Sequence, residues 1–334
     1  MRIAMMGSGG IGGYIGARLS QAGEDVAFVA RGAHLDAMRS QGLQLASPLG
    51  DITLPRVVAT DTPADIGLVD IVVFAVKLYD SVTAAKAVLP LVGPHTRIVT
   101  LQNGIDSVET LSRFVPRPQV VGGAIYVSAY LDRPGLIVHP GGHSDMIVGG
   151  AGDNGIEALR AACDRADGID MQTVQDIDPI LWTKFVTLSA FSGATSLMRT
   201  GIGAIFANVE ARKLLEQLLD EGVAVASAAG HPMDVSFKAG AIDRFAKLPP
   251  ETRSSMANDL QRGKALEIEW LSGRMYTLGQ ELRVPTPAHS AAYRALQLHA
   301  LGSGMDQYDS KQTHAAAPSP EDRATAPGET ALLD

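Results

Sequence analysis

The segment Arg2–Met6 followed by Gly7-Ser8-Gly9-Gly10-Ile11-Gly12 constrains the fold of this chain more than any other. The run Ile3-Ala4-Met5-Met6 reads as a short buried strand, and Ile11–Ala22 reads as the helix after it. Glycines spaced as Gly7-x-Gly9-x-x-Gly12 between a strand and a helix each have a physical task. Gly7 makes the tight turn, Gly9 lets a pyrophosphate approach the backbone, and Gly12 lets helix and strand pack closely. The helix N-terminus then offers free amides and partial positive charge to phosphates. Gly7, Ser8, Gly9, Gly10, Ile11 and Gly12 are therefore the expected dinucleotide-binding residues.

The same texture continues down the first half. Asp25–Ala30, Ile71–Val76, Arg97–Leu101 and Gln119–Ala124 read as strands, with helices around His34–Ser40 and Ser81–Leu89. Strands alternating with helices predict βαβ units and a mostly parallel sheet. Residues 43–60 differ: two short strand-like runs around Pro48-Leu49-Gly50-Asp51 predict an inserted hairpin. From about residue 176 the spacing turns helical, over Pro179–Leu197, Asn208–Ala229, Val235–Ala246, Lys264–Leu282 and Ala288–Leu301. The expected fold class is α/β: an N-terminal Rossmann-type doubly wound parallel sheet with a C-terminal all-α domain. The expected divisions are 1–175 for cofactor binding, 176–302 for substrate and catalysis, and 303–334 as a disordered tail rich in Ser, Ala, Pro, Asp and Glu.

A length of 334 residues exceeds one compact core and agrees with two domains. A net charge of −8 and 5% aromatics lack the basic footprint and stacking surface of a nucleic-acid binder. The most apolar run, Ile66 to Val76, is short and broken by Asp70, so no membrane span is expected. No secretory signal is read at the N-terminus, and the lone Cys163 forms no intramolecular disulfide; both fit a cytoplasmic protein. Cys163 lies in Leu159-Arg160-Ala161-Ala162-Cys163 and reads as a buried structural thiol on a helix face. The expected partner is a small molecule, without nucleic acid, membrane or bound metal; a homodimer is one arrangement open to the chain.

The strand exits carry the next signals, since open α/β sheets bind ligands there. The second strand ends Phe28-Val29-Ala30-Arg31, with no acid at its tip to accept from a ribose hydroxyl and a guanidinium directly after. Arg31 can pair with a 2′-phosphate, which predicts NADPH as the cofactor. Lys77, ending Phe74-Ala75-Val76-Lys77, can meet ribose hydroxyls or a substrate carboxylate. Asn103, in Leu101-Gln102-Asn103-Gly104, can bond the nicotinamide ribose. In the helical half, Lys184 sits amid Trp182, Phe185, Val186 and Leu188. A charge on so apolar a helix is paired, snorkelling or functional, and a lysine can both protonate a ketone oxygen and stabilise the alkoxide.

Taken in order, these segments resemble the ketopantoate reductase (2-dehydropantoate 2-reductase) family to about residue 300. The matching pieces are Gly7–Gly12, Arg31, Ala-Val-Lys ending at Lys77, Gln-Asn-Gly at 102–104, Gly123 through Ala129, Pro134-Gly135, Trp182-Thr183-Lys184, Ser254-Ser255-Met256 and Glu267-Ile268-Glu269. The resemblance implies NADPH-dependent reduction of a 2-oxo acid, with ketopantoate going to (R)-pantoate on the route to pantothenate and coenzyme A. It implies Lys184 as the catalytic lysine and Glu267 as a second key acid, near the lysine and the cofactor ribose. It also implies Ser255 as a substrate-carboxylate contact, with Asn103 and Ala129 as cofactor contacts. Spacing puts Ser255 on the turn before a helix that carries Glu267.

Two asparagines usually follow the family's lysine at i+4 and i+8. Here those positions hold Leu188 and Ser192, with Thr187 and Thr195 on nearby faces. Ser192 is the remaining substrate-contact candidate, and the apolar Leu188 predicts tolerance of a more apolar substrate side chain. Two alternatives stay open at this point: a related β-hydroxyacid or opine-type dehydrogenase acting on another 2-oxo acid, and a non-enzymatic NADPH-binding redox sensor.

Overall fold

The computed structural model describes residues 1–141 and 144–302, so the tail expected at 303–334 lies outside the described residues. In chain order the sheet region runs β1 (Arg2–Met6), α1 (Gly10–Gln21), β2 (Asp25–Val29), α2 (Gly32–Gln41), β3 (Leu43–Ala46), β4 (Ile52–Leu54), β5 (Val58–Thr60), β6 (Val69–Phe74) and α3 (Ser81–Ala87). It continues with β7 (Val92–Thr100), α4 (Ser107–Ser112), β8 (Val120–Tyr126), β9 (Tyr130–Arg133), β10 (Leu136–Val138), β11 (Asp145–Val148), α5 (Asn154–Cys163) and β12 (Asp170–Thr173). The helical region follows as α6 (Asp178–Leu197), α7 (Ile202–Ala207), α8 (Val209–Ala228), α9 (Phe237–Ala246), α10 (Ser255–Gln261), α11 (Ser272–Leu282) and α12 (Pro287–Leu296).

The main sheet has eight strands in the order β12-β11-β8-β7-β6-β1-β2-β5. All its pairings are parallel except β8 with β11. Alternation along β1 feeds both faces: Ile3 and Met5 join one apolar cluster, Ala4 and Met6 the other. Cys163 is buried in the first of these clusters, and burial pushes its thiol up to about 12, in line with a structural role. A third cluster fills the helical region around Phe185, Leu215, Leu218 and Met275. No helix among the described residues is long and apolar enough to cross a membrane.

Two parts of the sequence reading need correction. The hairpin expected at 43–60 exists as β3 and β4, paired Leu43 to Leu54, but β5 leaves it and joins the main sheet beside β2. The hairpin is half of a second sheet, β4-β3-β10-β9, in which β3 and β10 run parallel. The helix expected over Lys264–Leu282 is interrupted. Gly263 takes φ +63°, Glu267 opens a single 3-10 turn at Ile268–Trp270, and α11 begins only at Ser272. Leu266, Glu267 and Ile268 are all buried, Leu266 and Ile268 in the helical core and Glu267 against the Leu78 amide of the sheet region. The segment is threaded between the sheet region and the helices instead. Consequently Glu267 is not on a helix, and Ser255 starts the separate helix α10.

Candidate active site

Neighbouring parallel strands β6, β1 and β2 end at one edge, and the loops leaving β1, β6, β7 and β8 converge there. The glycine loop is fixed by its surroundings. Gly7 has φ +96°, a conformation that penalises any side chain. A Cβ at Gly12 would lie 1.9 Å from the Gly7 carbonyl oxygen, which locks helix against strand. A Cβ at Gly9, by contrast, would meet nothing within 4 Å. No side chain caps α1 and no acid sits in its first turn, so its leading amides face open space without a competing anion. That cradle fits a dinucleotide pyrophosphate.

Ser8 is used differently from a ligand contact. Its buried hydroxyl donates to the Val29 carbonyl at 3.0 Å and ties the loop to β2, leaving the backbone as its means of meeting a ligand. His34, which the sequence reading passed over, secures the same residue. Its Nδ1 accepts the Gly135 amide at 3.0 Å, so Nε2 carries the proton and donates to the Ser8 carbonyl at 2.8 Å. Burial holds this imidazole below its usual range despite the Ser8 contact. Ala129 backs the loop from another side: its carbonyl oxygen would lie 2.2 Å from a Cβ at Gly10.

At the β6 exit, Lys77 bridges the two regions. Its ammonium donates to Asp259 at 2.8 Å and to Glu267 at 3.4 Å, while Glu267 also accepts the Leu78 amide at 3.0 Å. Burial alone would pull Lys77 down, but the Glu267 and Asp259 carboxylates outweigh it and hold Lys77 above the usual lysine range. Glu267 is only 4% exposed. At the β7 exit, the Gln102 side chain donates to the Val76 carbonyl and the Ser81 hydroxyl, so this loop and the β6 loop hold each other. Asn103 beside it is half-buried, with no hydrogen-bond partner for its amide group among the described residues. Arg274 of α11 donates to both Asp106 oxygens at 3.1 Å and adds a second strut between the regions.

Lys184 lies nearly two turns into α6, with its ammonium over the Tyr126 ring at 5.5 Å. It makes no ion pair or hydrogen bond to another described residue. Burial pulls it down to about 8, and the Glu267 charge pushes the other way. Lys184 and Glu267 are thus within electrostatic reach without direct contact; the carboxylate's direct partners are Lys77 and Leu78.

The remaining candidates are dispersed. Ser255 is exposed on the first turn of α10, where Ser254 provides the cap: its buried hydroxyl accepts the Ala257 amide and lies 3.0 Å from the Thr195 hydroxyl. A serine directly before a helix is the sequence signal for that cap. Ser192 is 0% exposed, so its hydroxyl does not reach the cleft surface in this arrangement. Leu188 is half-buried and packs on the helical core. Arg31, at the exit of β2, pairs with Asp80 at 2.9 Å.

The chain is similar to known proteins along most of its length. The family model described as ketopantoate reductase PanE/ApbA matches residues 3–152, and its C-terminal counterpart matches 176–300. A 2-dehydropantoate 2-reductase of Archaeoglobus fulgidus is 32% identical over 289 residues, covering 85% of this chain and 92% of that protein. One from Mesorhizobium japonicum is 30% identical over 329 residues, covering 91% and 99%. The crystal structure of a 2-dehydropantoate 2-reductase from Geobacter metallireducens superposes with a TM-score of 0.83 at 30% identity, covering 89% of this chain and 99% of that one.

Proposed function

The chain belongs to the ketopantoate reductase family and is an oxidoreductase acting on CH–OH groups, and from that premise we propose that it uses NADPH to reduce ketopantoate to (R)-pantoate, the step that leads to pantothenate and coenzyme A. The family's oxidoreductase class displaces the reading as a sensor without turnover. The observation that carries the proposal is Lys184: an ammonium brought to about 8 by burial, without an anionic partner in contact, and biased toward its charged form by Glu267. Such a group donates a hydrogen bond to a ketone oxygen and releases its proton as the alkoxide forms.

When bound, the reduced nicotinamide supplies the hydride. The open space at Gly9 and the uncapped start of α1 hold the pyrophosphate, with Ser8, Gly10 and Ile11 contributing backbone. Arg31 favours the phosphorylated cofactor, and Asn103, Ala129 and Glu267 meet its nicotinamide half. Lys184 polarises the ketone, and Ser255 holds the substrate carboxylate. Lys77 keeps Glu267 in place and completes the polar floor of the cleft.

Oxidation of NADPH followed over a panel of 2-oxo acids tests this reading. Ketopantoate should be turned over, and Lys184→Ala should lose about 10²–10⁴-fold in rate. Full activity in that variant would overturn the role of the lysine. One observation favours a second reading of the substrate. Leu188 stands where the family's first asparagine stands, which suits a branched 2-oxo acid with an apolar rather than hydroxylated side chain. Higher kcat/KM for such an acid than for ketopantoate would select it.

A further inference from the structure

The tip of β2 lacks the acid that usually marks a non-phosphorylated cofactor, yet the fold delivers one from elsewhere. Arg31 leaves β2 and Asp80 leaves β6, the strands on either side of β1. Their side chains meet at 2.9 Å across the end of β1, in front of the glycine loop. Asp80 directly precedes α3, a position from which an aspartate ordinarily accepts helix amides, but it makes no such bond. Its carboxylate is committed to the guanidinium instead. Both side chains keep access to solvent, at 66% and 34% exposure, so a ligand can reach them.

We propose that Asp80 is a cofactor-selectivity residue, which competes with a 2′-phosphate for Arg31 and so narrows the preference for NADPH over NADH. The proposal rests on the reading of the glycine loop as a nicotinamide dinucleotide site. The adenosine ribose lies toward the β2 exit when the pyrophosphate lies on α1, which is where the Arg31–Asp80 pair spans the groove. A 2′-phosphate reaching Arg31 displaces Asp80 from it or stays beside a second anion. A 2′-hydroxyl meets no such conflict, because it donates to the Asp80 carboxylate while Arg31 remains paired. One guanidinium therefore attracts the phosphorylated cofactor, and one carboxylate subtracts from that attraction.

Direct titration of the full chain with NADPH and with NADH, without substrate and followed by nicotinamide fluorescence, tests this. Two charges on a phosphate about 6 Å from a carboxylate in water-like surroundings correspond to roughly tenfold in affinity. Asp80→Asn should therefore tighten NADPH about tenfold and leave NADH unchanged or weaker, raising the ratio of the two dissociation constants. Arg31→Ala should remove most of the NADPH preference. A ratio that stays constant or falls in Asp80→Asn, with the parent binding a nicotinamide nucleotide, overturns the selectivity role alone. A parent protein that binds neither nucleotide overturns the cofactor reading and this proposal together.

Discussion

The Lys184 ammonium lies over the Tyr126 ring at 5.5 Å, and no carboxylate pairs with it. An aromatic face attracts a cation but accepts no full hydrogen bond from it. Burial therefore dominates and brings the lysine to about 8, with Glu267 opposing. As the proton donor, Lys184 must be charged before reaction, so kcat/KM should fall as pH rises through about 8. Glu267→Gln keeps an acceptor for the Leu78 amide but removes the charge that favours the ammonium, so the alkaline limb should move to lower pH. A pH–rate profile in which that limb stays put would disconnect the two residues.

Gly9 and Gly12 separate ligand binding from stability. Gly9 is extended, at φ −73° and ψ −155°, and faces open space. Gly9→Ala should melt like the parent but bind NADPH at least about tenfold more weakly, because the new methyl occupies the approach of the pyrophosphate. Gly12→Ala puts a methyl into the Gly7 carbonyl and should cost about 1–3 kcal/mol of stability. Thermal melts and cofactor titration of the two variants check the contrast; equal melting losses would refute it.

Leu188→Asn introduces the amide that the family resemblance implies at this position. It should raise the preference for ketopantoate over an unhydroxylated branched 2-oxo acid at least about tenfold, since a buried hydrogen-bonding group discriminates against substrates that leave it unpaired. The ratio of kcat/KM values is the measurement. An unchanged ratio would mean that Leu188 does not face the substrate side chain.

His289 titrates in the stability of the fold. It is wholly buried, with Nε2 donating to the Leu218 carbonyl at 3.0 Å and Nδ1 facing the Ser272 hydroxyl at 3.3 Å. Burial brings it down from 6.5 to about 4, against the Leu218 contact. In that window the unfolded chain binds a proton that the folded one does not. Stability is therefore complete above the unfolded value and falls as pH drops toward 4, by about 3 kcal/mol. His289→Gln, which cannot titrate, should flatten the slope of denaturation midpoints between pH 6.5 and 4 relative to the parent.

Much of the cofactor half was legible because its signals are local. A buried strand, three spaced glycines and a helix are contiguous, and β-branched runs mark β6, β7 and β8. The strands β9 to β12 escaped because they are three or four residues long, and all but β10 carry polar residues such as Asp132, Asp145 and Gln172, so no apolar period stands out. Glu267 was found by resemblance but put on the wrong element, since Ile268, Leu271 and Met275 are spaced as on one helix face although α11 begins only at Ser272. Pairings such as Lys77 with Asp259, Arg31 with Asp80 and His34 with Gly135 follow from strand order and loop packing, which no spacing encodes.

The second sheet gives the glycine loop a history. Ala129 presses its carbonyl on Gly10, and Ile137 of β10 would clash at 2.7 Å with any Cβ at Gly13. Ile137 is held there by pairing with Leu45 of β3, across most of the sheet region. A nascent chain that has made β1, α1 and β2 thus carries the motif in full but not the wall behind it. Closing so long a loop is a slow, late event. The first forty residues carry the motif, and the segment from Ala129 to Ile137 supplies the wall behind it.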